Sequence, residues 1–422
     1  VQNVASTPHR VQPTSASAAE PDPRAALAAW AVVAAGVCAA LHVGKLAPAI
    51  GALQAALSLT LLQAGFLLSL VQLAGMGGGL LLGVAADRIG PRRSLLGGLL
   101  LLAAVSAAGG AVQGVAPLLV LRALEGVGFL LVVLPAPGLV RRWSPPGRTA
   151  AMLGLWGTYM PLATALALLL GPLAVQGIGW RGWWWLLAAL SLAVALGLRS
   201  ALPPLQQPAA PARAGWWHAL RQTLSAPGPW LVSIAFAAYS GQWLAVVGFL
   251  PTIYAQAGVA PAVNGVLTAL VAAANIAGNL AGGRLVQHGW PPRRVLVLGF
   301  VAMAVASTLA FAWPGLPAPW PYLAVLAFSG LGGLIPATLF GQALRVAPGE
   351  HAVATTVGWM QQWSSAGQFL GPPVVAAIAA AQGGWQWTWL FTAGCSAAGL
   401  LAVWALARAR SGSAQQPAAR RL

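Results

Sequence analysis

Gly83-Val84-Ala85-Ala86-Asp87-Arg88-Ile89-Gly90-Pro91-Arg92-Arg93 joins two apolar segments in a chain that holds five Asp plus Glu against 22 Lys plus Arg. Where acids are this scarce, one acid inside a basic turn points to a specific contact. Gly83 and Gly90 let two helices and their connecting turn approach closely. Asp87 can face a helix N-terminus, while Arg88, Arg92 and Arg93 hold the turn at a lipid surface. An ordinary basic loop between two membrane spans is the plainer reading of the same residues. On either reading the flanking segments enter a bilayer.

Composition agrees. The 422 residues are 59% hydrophobic and 6% charged, with a mean hydropathy of +0.77, whereas a soluble chain carries about a quarter charged residues. This is a polytopic membrane protein. The net charge of +17 does not point to nucleic acid, because the basic residues sit in short loops between apolar runs and form no continuous face. Cys38 and Cys395 both fall in apolar segments, so neither a disulfide framework nor a metal site is expected, and no cofactor is implied. Residues 1–25 are polar and carry both charge signs, which reads as a disordered tail rather than a cleavable signal. Asp22-Pro23 then launches the first span as a cap followed by Pro.

Apolar runs of about 20 residues, the length that crosses a bilayer, recur at 26–49, 60–83, 94–113, 117–139, 150–173, 183–201, 228–250, 263–284, 293–312, 320–343, 352–379 and 388–407. The expected architecture is an all-α membrane protein of twelve transmembrane helices in two six-helix bundles, 26–201 and 227–408. A Pro-rich linker, 202–226, joins them, and a basic tail, 409–422, follows. With a cytoplasmic N-terminus, 19 of the 22 cations fall in cytoplasmic segments, only Arg181 falls outside, and Lys45 and Arg122 lie within spans. That asymmetry places both termini in the cytoplasm. Trp183 to Trp185, Trp313, Trp320, Trp385, Trp387 and Trp389 then mark the outer interface. The halves repeat each other: Pro91-Arg92-Arg93 returns as Pro292-Arg293-Arg294, Gly171-Pro172 as Gly371-Pro372, and Pro146-Gly147 as Pro348-Gly349. Such a repeat means two similar bundles with a site between them.

The pattern Gly83-x-x-x-Asp87-Arg88-x-Gly90-x-Arg92-Arg93 after a second span resembles the signature loop of the major facilitator superfamily of transporters. Leu118-x-x-x-Arg122-x-x-Glu125-Gly126-x-Gly128 resembles that family's fourth-span pattern, with Glu125 where Gln is commoner. Gly44-Lys45-Leu46-x-Pro48, Gly278-Asn279-Leu280-Ala281-Gly282-Gly283-Arg284 and Gly367-Gln368-Phe369-Leu370-Gly371-Pro372-Pro373 are similar to its bacterial cyanate and nitroimidazole branch. The resemblance implies a gating role for the Asp87 loop and a small polar or anionic solute. A Gly-Pro motif on the fifth span goes with antiporters in this family. Here the fifth span carries the looser Gly157-x-x-x-Pro161, which weakens a drug-exporter reading.

Four ionisable groups lie inside spans of the first half. Each costs on the order of 2.5–3.5 kcal/mol to insert, which makes it a functional candidate. Arg122 and Glu125 share a helix face and are either a self-neutralising ion pair or groups that bind solute or proton. His42 and Lys45 share a face of the first span. Counting along it at about 1.5 Å per residue places both in its outer half, at the depth of Arg122. Lys45 either joins them or snorkels to the interface. His42 is either a group that titrates near neutral pH or a hydrogen-bonded packing residue. The second half offers neutral groups: Tyr239, Gln242 and Trp243 on the seventh span, Asn275 and Asn279 on the eighth, and Gln361, Ser365 and Gln368 on the eleventh. Interhelical hydrogen bonding is the simpler role for the Asn pair.

No His-Glu-x-x-His, Gly-x-Ser-x-Gly, phosphate-binding Gly-Lys loop or acidic pair is present, so an enzyme is not expected. Nothing resembles a repeated selectivity filter, which argues against a channel. The sequence implies a monomeric secondary transporter of the bacterial inner membrane that moves a small anion with proton coupling. Export of drugs or other apolar solutes is the alternative.

Overall fold

The computed structural model describes residues 23–79, 89–145, 148–202, 216–313 and 315–414. Gly83, Asp87 and Arg88 of the signature loop lie outside them. The first half contains α1 (Leu27–Leu57), α2 (Leu61–Gly79), α3 (Pro91–Ala111) and α4 (Val115–Trp143). Thr149–Trp156 then leads into one helical stretch, Tyr159–Ala201, which Gly179 divides with a left-handed φ of 74°. We call its arms α5 (149–178) and α6 (180–201). They fold back on each other, because Gly44 packs on Thr164 and Ala167 of one arm while Trp183 of the other donates to the Lys45 carbonyl.

The second half contains α7 (Pro227–Gln256), α8 (Pro261–Gln287), α9 (Pro292–Phe311), α10 (Pro319–Val346), α11 (Val353–Gln382) and α12 (Thr388–Ala414). By length and composition ten stretches of the described residues can cross a membrane. Separating α5 from α6, and adding the more polar α11, makes twelve. Pro occupies the first turn of α3, α7, α8, α9 and α10, where its missing N–H costs nothing. Thr60 starts α2 with a reciprocal cap, accepting from the Gln63 amide while the Gln63 side chain accepts from its own.

The first span departs from expectation. It does not stop at 49. The helix halts at Gly44, resumes as a 3₁₀ turn over Ala47–Ala49, and continues from Ile50 to Leu57. Pro48 has no N–H for the Gly44 carbonyl, which forces the break without ending the span. His42 is thus the central residue of α1 rather than a resident of its outer half.

Arg92, Arg93, Arg141, Arg142, Arg284, Arg293 and Arg294 all sit at helix ends on one side of the bundle, which we call the basic end. The halves meet toward the opposite, far end. There Gly65 of α2 packs on Pro372 and Pro373 of α11, Gly265 of α8 on Leu168 and Leu169 of α5, and Gly248 of α7 on Leu68 of α2. Within the second half, α7 and α11 approach so closely that a Cβ on Gly367 would overlap the Ala237 carbonyl. That contact needs glycine.

Candidate functional site

His42, Lys45, Arg122 and Glu125 come together in one network inside the first half, and each is at most 1% exposed. Glu125 is the hub. Its Oε1 accepts from Lys45 Nζ at 2.5 Å, and its Oε2 pairs with Arg122 Nη1. The three protons of the Lys45 ammonium are all used: one goes to Glu125, one to Ser106 Oγ at 2.9 Å, and one to His42 Nδ1 at 3.3 Å. Because an ammonium can only donate, Nδ1 is the acceptor. His42 therefore carries its proton on Nε2 and donates to Ser191 Oγ at 2.7 Å. The Trp184 ring lies 4.6 Å from the Lys45 nitrogen. Lys45 does not snorkel. With His42 neutral, two cations face one acid, which leaves one positive charge in the dry interior.

Arg122 does more than pair with Glu125. Its Nη1 and Nη2 donate to the carbonyls of His42 (2.5 Å) and Val43 (3.3 Å), at the break in α1. Its Nε donates to the Leu67 carbonyl at 3.0 Å, just before the 3₁₀ turn Leu70–Gln72 that interrupts α2. Broken backbone at membrane depth persists only where its polar groups find partners. Arg122, with Trp183 on the Lys45 carbonyl, supplies them. One side chain on α4 thus holds two interrupted helices, and its planar fork is what reaches several carbonyls at once.

The second half is neutral. Tyr239 and Asn275 bond to each other, Asn275 Nδ2 reaches the Ser329 carbonyl, and Trp243 Nε1 donates to Ser329 Oγ at 3.0 Å. Gln242 accepts from Ser396 of α12 at 3.2 Å. Tyr239, Gln242 and Trp243 therefore reach three different helices, although their spacing suggested one shared face. Gln361 joins none of them and is exposed.

Sequence reasoning missed Gln72. It is 3% exposed and bridges the halves, donating to Gln368 Oε1 at 3.1 Å and accepting from Ser365 at 3.4 Å. One turn toward the basic end, Gln362 donates to the Met76 carbonyl at 2.9 Å. The signal that could have found it is a Gln on α2 at the depth of the Gln368 and Ser365 pair on α11. Beyond this layer lies a far-end cleft of about 430 Å³, lined from both halves by Pro48, Gln54, Gln176, Thr252, Gln256 and Asn264 among others. On the basic side, by contrast, Gln361 and Phe340 are exposed, Phe340 edge-on to Phe236. Of the described loop residues, Gly90 takes a left-handed φ of 95° just before Pro91. Arg92 donates to the Arg199 carbonyl at the end of α6 at 2.8 Å, and Arg93 is exposed.

Comparison with known proteins matches this architecture. The Major Facilitator Superfamily model fits residues 32–259 and again 231–421. The 2-nitroimidazole transporter of Escherichia coli (strain K12) is 29% identical over 81% of this chain and 85% of its own. The tetracenomycin C resistance and export protein of Streptomyces glaucescens is 36% identical over 24% of this chain, and the match spans 18% of that protein. A bacterial homolog of the human lysosomal transporter Spinster, solved in an inward-facing, occupied conformation, superposes with a TM-score of 0.69 at 17% identity, over 92% of this chain and 96% of that one. With two matching halves and twelve helices, the chain belongs to the Major Facilitator Superfamily of transporters.

Proposed function

We propose that the protein is a proton-coupled secondary transporter that moves a small anion across the bacterial inner membrane by alternating access. The observation that carries this reading is the excess positive charge of the Lys45, Arg122 and Glu125 cluster, held inside the first half. Protonating Glu125 leaves two buried cations unbalanced, and an arriving anion restores the balance. Proton and anion therefore favour each other's binding, which is the thermodynamic requirement for symport. His42, Lys45, Arg122 and Glu125 supply the field on one side, while Tyr239, Gln242, Trp243 and Gln361 supply neutral contacts on the other.

The arginine-rich end faces the cytoplasm, with both termini there. The halves touch toward the far end while Gln361 and Phe340 are exposed on the basic side. This supports an inward-open conformation of a monomer. Gly83, Asp87, Arg88, Gly90, Arg92 and Arg93 gate the cytoplasmic mouth, with Asp87 docking on a helix end in one state of the cycle. Uptake of a panel of labelled anions into proteoliposomes, with and without an imposed pH gradient, tests the reading. Accumulation that follows the gradient is expected. Equal uptake without the gradient would remove proton coupling, and no uptake of any anion would remove the charge assignment.

Export of an apolar solute is the second reading. It is favoured by the relative named for resistance and export. Extrusion of a lipophilic dye from the same vesicles separates the two.

A further inference from the structure

At the basic end of the second half, neither Arg293 nor Arg408 forms an ion pair among the described residues. The acids among the described residues are Glu125, buried in the first half, and Glu350, in the turn before α11. At the basic ends of α9 and α12 lies a groove of about 350 Å³, lined by Arg293, Val297, Leu400, Leu401 and Trp404. Leu401 and Trp404 are 65% and 45% exposed. The Arg408 guanidinium lies 3.7 Å over the Trp404 ring.

The matching place in the first half is closed. Arg92, the counterpart of Arg293, ties α3 to α6 through the Arg199 carbonyl. In the second half Trp404 stands where α6 has Arg199, and among the described residues Arg293 makes no hydrogen bond or ion pair. A cation at the rim, a second cation held on a tryptophan, and an apolar floor running toward the membrane centre form a two-part site. We propose that this groove holds one anionic phospholipid, its phosphate on Arg293 and Arg408 and its acyl chain on Val297, Leu400 and Leu401. Phosphate binds guanidinium through charge-assisted hydrogen bonds, and juxtamembrane cations attract anionic lipid. The apolar floor distinguishes a lipid from free phosphate, which would leave it uncovered. That neither arginine forms an ion pair among the described residues distinguishes an anionic lipid from one that carries its own ammonium.

The test uses the full chain purified in detergent, with melting temperature and native mass spectrometry as readouts. Phosphatidylglycerol, phosphatidylcholine and inorganic phosphate are added in separate arms. Phosphatidylglycerol alone should raise the melting temperature, by several degrees, and one molecule should stay bound per chain. The double variant R293Q/R408Q should fold with an unchanged basal melting temperature and lose most of both effects. Val297→Trp keeps both arginines but fills the groove, and it should also release the lipid. R141Q/R142Q, at the basic end of the first half, should respond as the wild type does. An undiminished phosphatidylglycerol response in both groove variants would overturn the proposal. So would an equal response to phosphatidylcholine or to inorganic phosphate.

Discussion

His42 of α1 and Gln242 of α7 stand at matching points of the two halves, and each is bonded to a serine on the last helix of its bundle, Ser191 at 2.7 Å and Ser396 at 3.2 Å. Ser106 of α3 and Ser307 of α9 also correspond. Ser106 receives Lys45, whereas Ser307 receives Thr392 at 2.7 Å. Where the first half has Lys45, Arg122 and Glu125, the second has Ala245, Leu326 and Ser329. The serine-bonded positions recur in both halves, but the three ionised positions of the first half are Ala, Leu and Ser in the second. The second half shows that a six-helix bundle of this plan needs no internal charge. Each ion costs on the order of 2.5–3.5 kcal/mol to insert, so the first half spends free energy that packing alone does not require. Part of that cost is offset where Arg122 holds the broken backbones of α1 and α2.

The sharpest way to break that comparison is to neutralise both hubs. Glu125→Gln strands Lys45 and Arg122 as unbalanced buried cations, which costs about 3–5 kcal/mol. Ser329→Ala removes one neutral acceptor and costs about 1 kcal/mol. Melting in the same detergent should therefore show a several-fold larger loss for Glu125→Gln. Equal losses would mean that the ionic hub is energetically no different from its neutral twin.

A second test separates charge from shape. Arg122→Lys keeps the cation but cannot reach the carbonyls of His42, Val43 and Leu67 together. At about 1 kcal/mol for each lost bond, transport should fall at least about tenfold while the protein still purifies as a monomer. A rate close to wild type would show that the breaks in α1 and α2 hold without their cap.

Span number was legible because bilayer thickness writes itself into runs of apolar residues, and the Pro91 signal is local. The charge cluster was legible in part, since i and i+3 spacing put Arg122 beside Glu125 and His42 beside Lys45. Two things were not. The length of α1 was underestimated, because the expected apolar run ends at 49, whereas here Arg122 and Trp183 satisfy the freed carbonyls and the span continues. The partners of Tyr239, Gln242 and Trp243 depended on which neighbour each residue faced, and helix rotation in a tightly packed bundle is set by tertiary contact, not by spacing. Gln72 escaped notice for a similar reason, since its meaning lies entirely in a helix almost 300 positions away.

The seam itself offers a smaller, directional effect. Gln72→Ala deletes the bonds to Gln368 and Ser365, worth about 1 kcal/mol each, and leaves the rest of α2 in place. The far end should then open more often, by about tenfold or more. A cysteine installed at Gln54, in the far-end cleft, reports this through its labelling rate with a membrane-impermeant thiol reagent. The native Cys38 is buried and should contribute little. An unchanged labelling rate would place the closure elsewhere, on the α5–α8 contact.

The finest test transplants one half into the other. His42→Gln gives α1 the residue that α7 already carries at the matching point, and Ser191 can then donate to the new amide as Ser396 donates to Gln242. The Lys45 ammonium loses one of its three acceptors but keeps Glu125 and Ser106. Stability should therefore shift by no more than about 1 kcal/mol. If His42 only packs, the substitution should leave the pH dependence of transport unchanged as well. If it relays the coupling proton, uptake driven by a pH gradient should fall several-fold, because an amide cannot take up and pass on a proton. The cluster favours the second outcome. His42 accepts from Lys45 on Nδ1 and donates to Ser191 from Nε2, so it connects the Lys45 and Glu125 pair to Ser191.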